Sequence, residues 1–252
     1  MSSNQIDIVN LSKEYTDTVG YRINLLKNVN FSIVQGSVTT IVAPTGSGKS
    51  SLLKIVGGLE EKSSGTIGYG GETNNIYIPS KPSSFPWFNV KQNISFGLKK
   101  VDQTKVSDLI KLVGLEGYEE HVPHNKSIGF RFRISLATAL IRSPHMIILD
   151  EPFNDMDSAT KGEIYLLIKN VNKKLGITFL LGTTNISEAI FLSDKIFLMK
   201  KNPGEIIDEI KINLGDTNSL EVLDTDEFVE VRRKIENLFK SNQTQKLFTF
   251  SI

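Results

Sequence analysis

The chain contains no cysteine, one tryptophan and three histidines among its 252 residues. Without thiols there is no disulfide framework, no thiolate metal site and no cysteine nucleophile. The three histidines, His121, His124 and His145, leave little for a His-rich metal centre. Neither sign of charge is in excess: 29 Lys and Arg against 28 Asp and Glu give +1. Proteins that track phosphate backbones usually carry a basic surplus, so nucleic acid is not expected as the main partner. Long apolar runs are also missing. Met146 to Leu149 is among the longest, against the ~18 residues of a membrane-spanning helix. The polar start, Met1 to Asp7, lacks the apolar core of a signal peptide. A membrane role would have to come through a partner.

What is present is an ordinary globular composition, 39% hydrophobic and 23% charged, with patterning that alternates between two periods. Ile6, Ile8 and Leu11 suggest a strand, as do Phe31 to Ile33 and Val38 to Val42. Ser50 to Val56 reads as a helix stopped by Gly57-Gly58. Short strands are expected at Thr66–Tyr69 and Asn75–Ile78. Pro79, Pro82 and Pro86 then make a rigid loop. From Val90 to about Gly117 the period is helical, with Val106, Leu109, Ile110 and Val113 on one stripe, and a further helix is expected from Phe130 to Ile141. Later come a strand at Met146–Leu149, a helix at Ala159–Val171, a strand at Thr178–Gly182, a helix at Ser187–Leu192 and a strand at Lys195–Met199. Phe228, Val231 and Ile235 mark a terminal helix. Strands alternating with helices predict an α/β fold around a mainly parallel core sheet, preceded by an N-terminal antiparallel β part.

Two motifs carry chemistry. Ala43-Pro44-Thr45-Gly46-Ser47-Gly48-Lys49-Ser50 nearly matches G-x-x-x-x-G-K-[ST], between an apolar strand and a helix. Such a loop curls backbone N–H groups around phosphate oxygens and adds the helix dipole. Gly46 and Gly48 permit the close backbone approach. Lys49 would neutralise the β- and γ-phosphates, and the Ser50 hydroxyl would ligate Mg²⁺, with Ser51 following in the same turn. Ala43 stands where the pattern has its first glycine. The plain alternative is a glycine-rich turn before a helix. The second motif is the apolar strand ending in Asp150-Glu151. Asp150 would join Ser50 at the metal, and Glu151 would act as the general base on water. Alternatively the two carboxylates merely solvate a strand end.

With these motifs in hand, the chain resembles the ATP-binding subunits of ABC transporters over about residues 5 to 240. The importer subgroup for nitrate, sulfonate and taurine is the nearest in kind. The segments carrying the likeness are Phe85-Pro86-Trp87-Phe88-Asn89-Val90, Val113-Gly114-Leu115-Glu116-Gly117-Tyr118 and Leu149 through Asp157. Glu188 through Asp194 and Asn202 through Ile207 add to it. The resemblance implies a P-loop NTPase fold, residues 1–252 forming one nucleotide-binding domain. A helical subdomain over about 79–142 would be inserted in its core, and a C-terminal helix would span about 226–240. It implies ATP and Mg²⁺ as cofactors and a second ATPase subunit as partner. It also implies a transmembrane permease docking near Phe85–Asn93, and a peripheral location on the cytoplasmic face of the membrane. Trp87 is then either a docking residue or an ordinary core tryptophan. Tyr15 would stack on adenine, or is simply an edge-strand tyrosine. Asp157 would cross the subunit interface, or is simply a helix cap.

Three motifs of the family are altered. The glutamine seven residues before the family's tryptophan is Ser80 here. The signature L-S-G-G-Q reads Lys126-Ser127-Ile128-Gly129-Phe130, which keeps Ser127 and Gly129. Arg131 and Arg133 just beyond are expected on a solvated face. The switch histidine falls at Thr184, and no histidine follows His145. These changes spare the groups that hold Mg-ATP and remove groups that read the γ-phosphate. They predict slower hydrolysis or, at the extreme, a nucleotide-binding scaffold subunit.

Overall fold

The computed structural model describes residues 5–16, 20–71, 73–214 and 219–248, with backbone alone past residue 240. Two sheets organise it. In the first, β1 (Gln5–Thr16) lies between β2 (Arg22–Val34) and β4 (Ser64–Gly68), antiparallel to both. Ile6, Ile8 and Leu11 point to the core from β1 while Asp7 and Val9 alternate outward, as period 2 requires. β1 and β2 are far longer than the expected apolar cores, because polar residues extend the pairing. Bulges break the register between Ile8 and Leu11.

The second sheet has the order β5-β6-β7-β3-β8-β9. Its strands are β3 (Val38–Val42), β5 (Asn75–Ile78), β6 (Met146–Asp150), β7 (Thr178–Thr183), β8 (Lys195–Lys200) and β9 (Glu205–Lys211). All neighbours are parallel except β8 and β9. Every residue of β3, β6 and β7 is buried, the pattern of strands covered on both faces. β9 has three isoleucines, Ile206, Ile207 and Ile210, but they do not alternate with period 2 and only Ile210 is fully buried, which is why the sequence pattern predicts no strand there.

Helix α1 (Lys49–Val56) follows β3, and α5 (Ser158–Leu175), α6 (Ile186–Leu192) and the terminal α7 (Asp226–Phe248) follow later strands. Between β5 and β6 the chain makes α2 (Val90–Ser95), α3 (Gln103–Leu112) and α4 (Ile128–Leu140). The continuous helical stretch expected over 90–117 is thus two helices. Asn89 starts α2 with a capping box closed by Gln92, and Asp102 caps α3. The fold is α/β with a mainly parallel core sheet and a separate antiparallel sheet. Parallel strands β3, β6 and β7 end at one edge, and the motif residues lie there.

Candidate functional site

Three chain segments meet at the C-terminal ends of these strands. β3 leads into the loop 43–48, whose Gly46 and Gly48 have φ of 78° and 88°. Gly48 caps α1 in this left-handed conformation. Pro44 is half-buried, Thr45, Gly46 and Ser50 are exposed, Ala43 and Ser47 are buried, and Ser51 is half-buried. Ala43 donates its backbone N–H to Thr183 O at 3.2 Å, tying the loop to β7.

Lys49 opens α1 and is 6% exposed. Its Nζ forms an ion pair with Glu151 Oε1. The lysine stem reaches the pair across Gly182, where a Cβ would stand 3.1 Å from Lys49 Cδ and 2.5 Å from Leu53 Cδ1. Only glycine lets β7 and α1 approach this closely. Glu151 itself has φ of 47°, an uncommon left-handed value for a non-glycine residue, held by its N–H to Gly182 O at 2.8 Å. That turn swings its carboxylate away from the strand and onto Lys49.

Asp150, the last residue of β6, accepts a hydrogen bond on Oδ2 from the Tyr77 hydroxyl at 2.7 Å. Burial first, and then the Asp150 carboxylate, raise the Tyr77 phenol well above an ordinary tyrosine, so it stays a donor. Asp150 Oδ1 and Glu151 Oε2 are buried and have no hydrogen-bond partner. Buried acceptors of this kind ask for a cation or its water. Among the described residues no cluster of three His, Cys, Asp or Glu could hold a metal. Few protein ligands suit Mg²⁺, which keeps waters and shares phosphate oxygens. Asp150 and Ser50 therefore fit that ion.

Thr184 lies exposed just past β7. Its turn is fixed from beneath by a network around Glu188 that the phosphate-loop and Asp-Glu motifs do not include. Thr183 Oγ1 donates to Glu188 Oε2 at 2.7 Å and accepts from Asn185 N at 3.0 Å. Glu188, 2% exposed, also accepts from Tyr165 OH at 3.1 Å and pairs with Lys161 at 3.2 Å. Burial, followed by the Glu188 charge, pushes the Tyr165 phenol up. No single-sequence signal separates such a network from polar residues facing solvent, since its members span residues 161 to 188.

The signature residues form a second group. Ser127 caps α4 by accepting from Phe130 N at 3.2 Å. Gly129 faces α5: a Cβ there would stand 2.4 Å from Thr160 Cγ2. Thr160 is bound in turn by Asp157, which caps α5 through Thr160 N at 2.9 Å and Thr160 Oγ1 at 2.8 Å. Those two donors, the backbone one first, hold the Asp157 carboxyl below its usual range. Phe130 packs edge-on against Tyr118 at 5.7 Å, with the Lys126 ammonium over both rings. Arg133 is not merely solvated, because it binds Val113 O and Glu163. Arg131 lines a cavity with His124 and Lys126, and its Nε is buried without a partner. Both arginines thus depart from the expected solvated face.

Tyr15 stands on β1 opposite Ile23, two residues along β2 from Leu25, whose side chain lies against Gly48. It is partly exposed, its hydroxyl donates to Glu60 Oε1 at 2.5 Å, and Lys13 lies over its ring. Ser80 is exposed. Trp87 is 68% exposed, so it is not a core residue, and it clusters with Phe85, Phe88 and Phe96.

A phosphate-type loop at the end of a parallel strand, facing an Asp-Glu pair on the next strand but one, defines a P-loop nucleoside triphosphatase. Comparison with known proteins makes this specific. Residues 26–154 match the ABC transporter family. The chain is 33% identical over 246 residues to an aliphatic sulfonates import ATP-binding protein of Bacillus cereus, covering 93% of this chain and 96% of that one. It is 32% identical over 244 residues to the taurine import ATP-binding protein of Pelagibacter ubique, covering 90% and 91%. A dimeric ATP-binding cassette in a post-hydrolysis state with ADP and Pi superposes with TM-score 0.69 at 25% identity, over 82% of this chain and 99% of that one. CbiO1 of Clostridium perfringens, part of an ABC transporter complex, gives 0.73 at 26% identity, over 93% and 98%. The chain belongs to the ABC transporter family, as an ATP-binding, ATP-hydrolysing subunit. No helix among the described residues is long and apolar enough to cross a membrane.

Proposed function

We propose that this chain forms a single nucleotide-binding domain that binds Mg-ATP and drives import of a small sulfonate-type organic anion through a permease. The observation that carries the nucleotide reading is the buried pair of Lys49 and Glu151 beside two partnerless carboxylate oxygens, Asp150 Oδ1 and Glu151 Oε2. Lys49 is held where a phosphate would compete with Glu151 for it. Backbone N–H groups of residues 45–51 would cradle the phosphates. Ser50 and Asp150 would hold Mg²⁺, and the bound ion would neutralise charge on the β- and γ-oxygens. Glu151, released from Lys49, would accept a proton from the attacking water. Tyr15 would stack on the adenine, and Thr184 would offer a hydroxyl at the γ-phosphate. The anion class is supported by the sulfonate and taurine relatives.

A second ATPase subunit is required for a complete site in this reading. Ser127, Gly129 and Asp157 form their own group on α4 and α5, and no hydrogen bond or ion pair among the described residues joins them to the phosphate loop. They would face the partner's nucleotide. The exposed aromatic face of Phe85, Trp87, Phe88 and Phe96 would receive the permease over Phe85–Asn93, at the cytoplasmic side of the membrane. Ser80, Ile128, Phe130 and Thr184 replace groups that would order the γ-phosphate, which favours slow turnover, about 10²–10³-fold for each such donor lost.

Steady-state phosphate release by the reconstituted complex tests this. Glu151→Gln should keep ATP binding and lose turnover by about 10²–10⁴-fold, the usual worth of a positioned base. If the wild type binds ATP and neither version releases phosphate, the chain is a nucleotide-binding scaffold subunit instead.

A further inference from the structure

The strand-end carboxylate has a partner that the phosphate loop does not account for. Tyr77 donates to Asp150 Oδ2 at 2.7 Å, while Asp150 Oδ1 is buried and unpartnered. A carboxylate without a fixed partner could turn about its last bond and present either oxygen. Here one oxygen is taken and the other is left as the open acceptor. The juxtaposition follows from register. β5 and β6 run parallel, with Tyr77 opposite Ile148 and Ile78 opposite Leu149. Tyr77 therefore starts two residues short of Asp150, and the length of a phenol closes that gap. A serine or asparagine at residue 77 would fall short, and a phenylalanine would fill the space without a donor. The ring is half-buried against the core under α1, so it has little freedom to leave.

We propose that Tyr77 is a positioning residue for the divalent cation: its hydroxyl holds Asp150 Oδ2 so that Oδ1 faces the metal. The proposal rests on the reading of Ser50 and Asp150 as the protein ligands of that cation. Outer partners of this kind orient a ligand and are worth about 10–100-fold in metal affinity.

The test uses the purified full chain and a fluorescent ATP analogue, with Mg²⁺ titrated at fixed nucleotide and a parallel titration of nucleotide in EDTA. For Tyr77→Phe the Mg²⁺ midpoint should rise about tenfold or more. Nucleotide affinity in EDTA should stay at the wild-type value, and hydrolysis should recover when Mg²⁺ is raised. An unchanged Mg²⁺ midpoint overturns the proposal. So does an equal loss of nucleotide affinity with and without Mg²⁺, which marks the ring as packing alone. If wild-type binding itself ignores Mg²⁺, the assignment of Ser50 and Asp150 falls, and Tyr77 falls with it. That outcome is distinct from a Mg²⁺-dependent wild type whose midpoint the variant shares.

Discussion

Asp157 shows how much one side chain settles locally. Its carboxylate takes two hydrogen bonds from Thr160 and so ionises more readily than a free aspartate. The folded value is lower than the unfolded one of ~3.9. The cap's contribution is therefore complete above that pH and is lost as pH falls through the folded value. A carboxyl-carbon NMR titration should place the Asp157 midpoint below ~3.9. Thr160→Ala should return it only part of the way, because the backbone N–H, which matters most, remains. A midpoint at the ordinary value would remove the cap as described. The role of Asp157 at a subunit interface is a separate question, and the two uses are compatible, since an exposed cap can still face a partner. Glu151 makes the opposite case. Its left-handed backbone and its pairing with Lys49 serve no cap or turn signal, and such strain gathers at working sites.

At the scale of elements, the turn from β7 into α6 depends on α5. Glu188 on α6 gathers Thr183 from β7 and both Tyr165 and Lys161 from α5 around one buried carboxylate. Removing it by Glu188→Ala takes away the buried carboxylate that pairs the Lys161 ammonium and accepts from both hydroxyls. Breaking a buried pair in this way costs about 3–5 kcal/mol, and the partial exposure of Lys161 points to the low end. Chemical denaturation should read that loss as a lowered midpoint. Glu188→Gln should recover part of it, since the amide oxygen can still accept. A variant as stable as wild type would show that the network contributes nothing net. Because the same turn sets Thr184 beside the Asp150-Glu151 strand end, Glu188 links the frame of α5 to the site.

For the whole molecule, the proposed docking of a permease on the exposed aromatic face separates stability from assembly. Phe85, Trp87 and Phe96 are 36%, 68% and 47% exposed, an unusual grouping for a free surface. Trp87→Ala should change the stability of the isolated chain by no more than about 0.5 kcal/mol, as surface changes do. It should weaken association with the permease, measured by co-purification. The fluorescence of the lone Trp87 should shift to the blue when the complex forms. No shift on complex formation would move the docking surface elsewhere. A core tryptophan would behave in the reverse manner, unfolding the chain when removed.

The local pattern was enough for the phosphate loop, the Asp150-Glu151 strand end and the order of most elements. The reason is that a turn of glycines before a helix, or an apolar strand ending in acids, depends only on neighbours in the chain. Tertiary structure decided what neighbours cannot. The split of the helical stretch after Val90 is not among these, since the caps Asn89 and Asp102 that start the two helices are local signals that periodicity alone passes over. Tertiary structure added β9, whose isoleucines do not alternate with period 2, because β8 supplied an edge to pair with. It set Tyr77 on Asp150 and Glu188 under Thr183, contacts that span 73 and 5 residues and need strand register or helix packing to exist. The absence of histidine after residue 145 is a property of the sequence alone. That Thr184 nevertheless sits at the strand end, on a turn held firmly from below, is a property of the fold, because only packing of β7 between β6 and β3 brings that turn to the site.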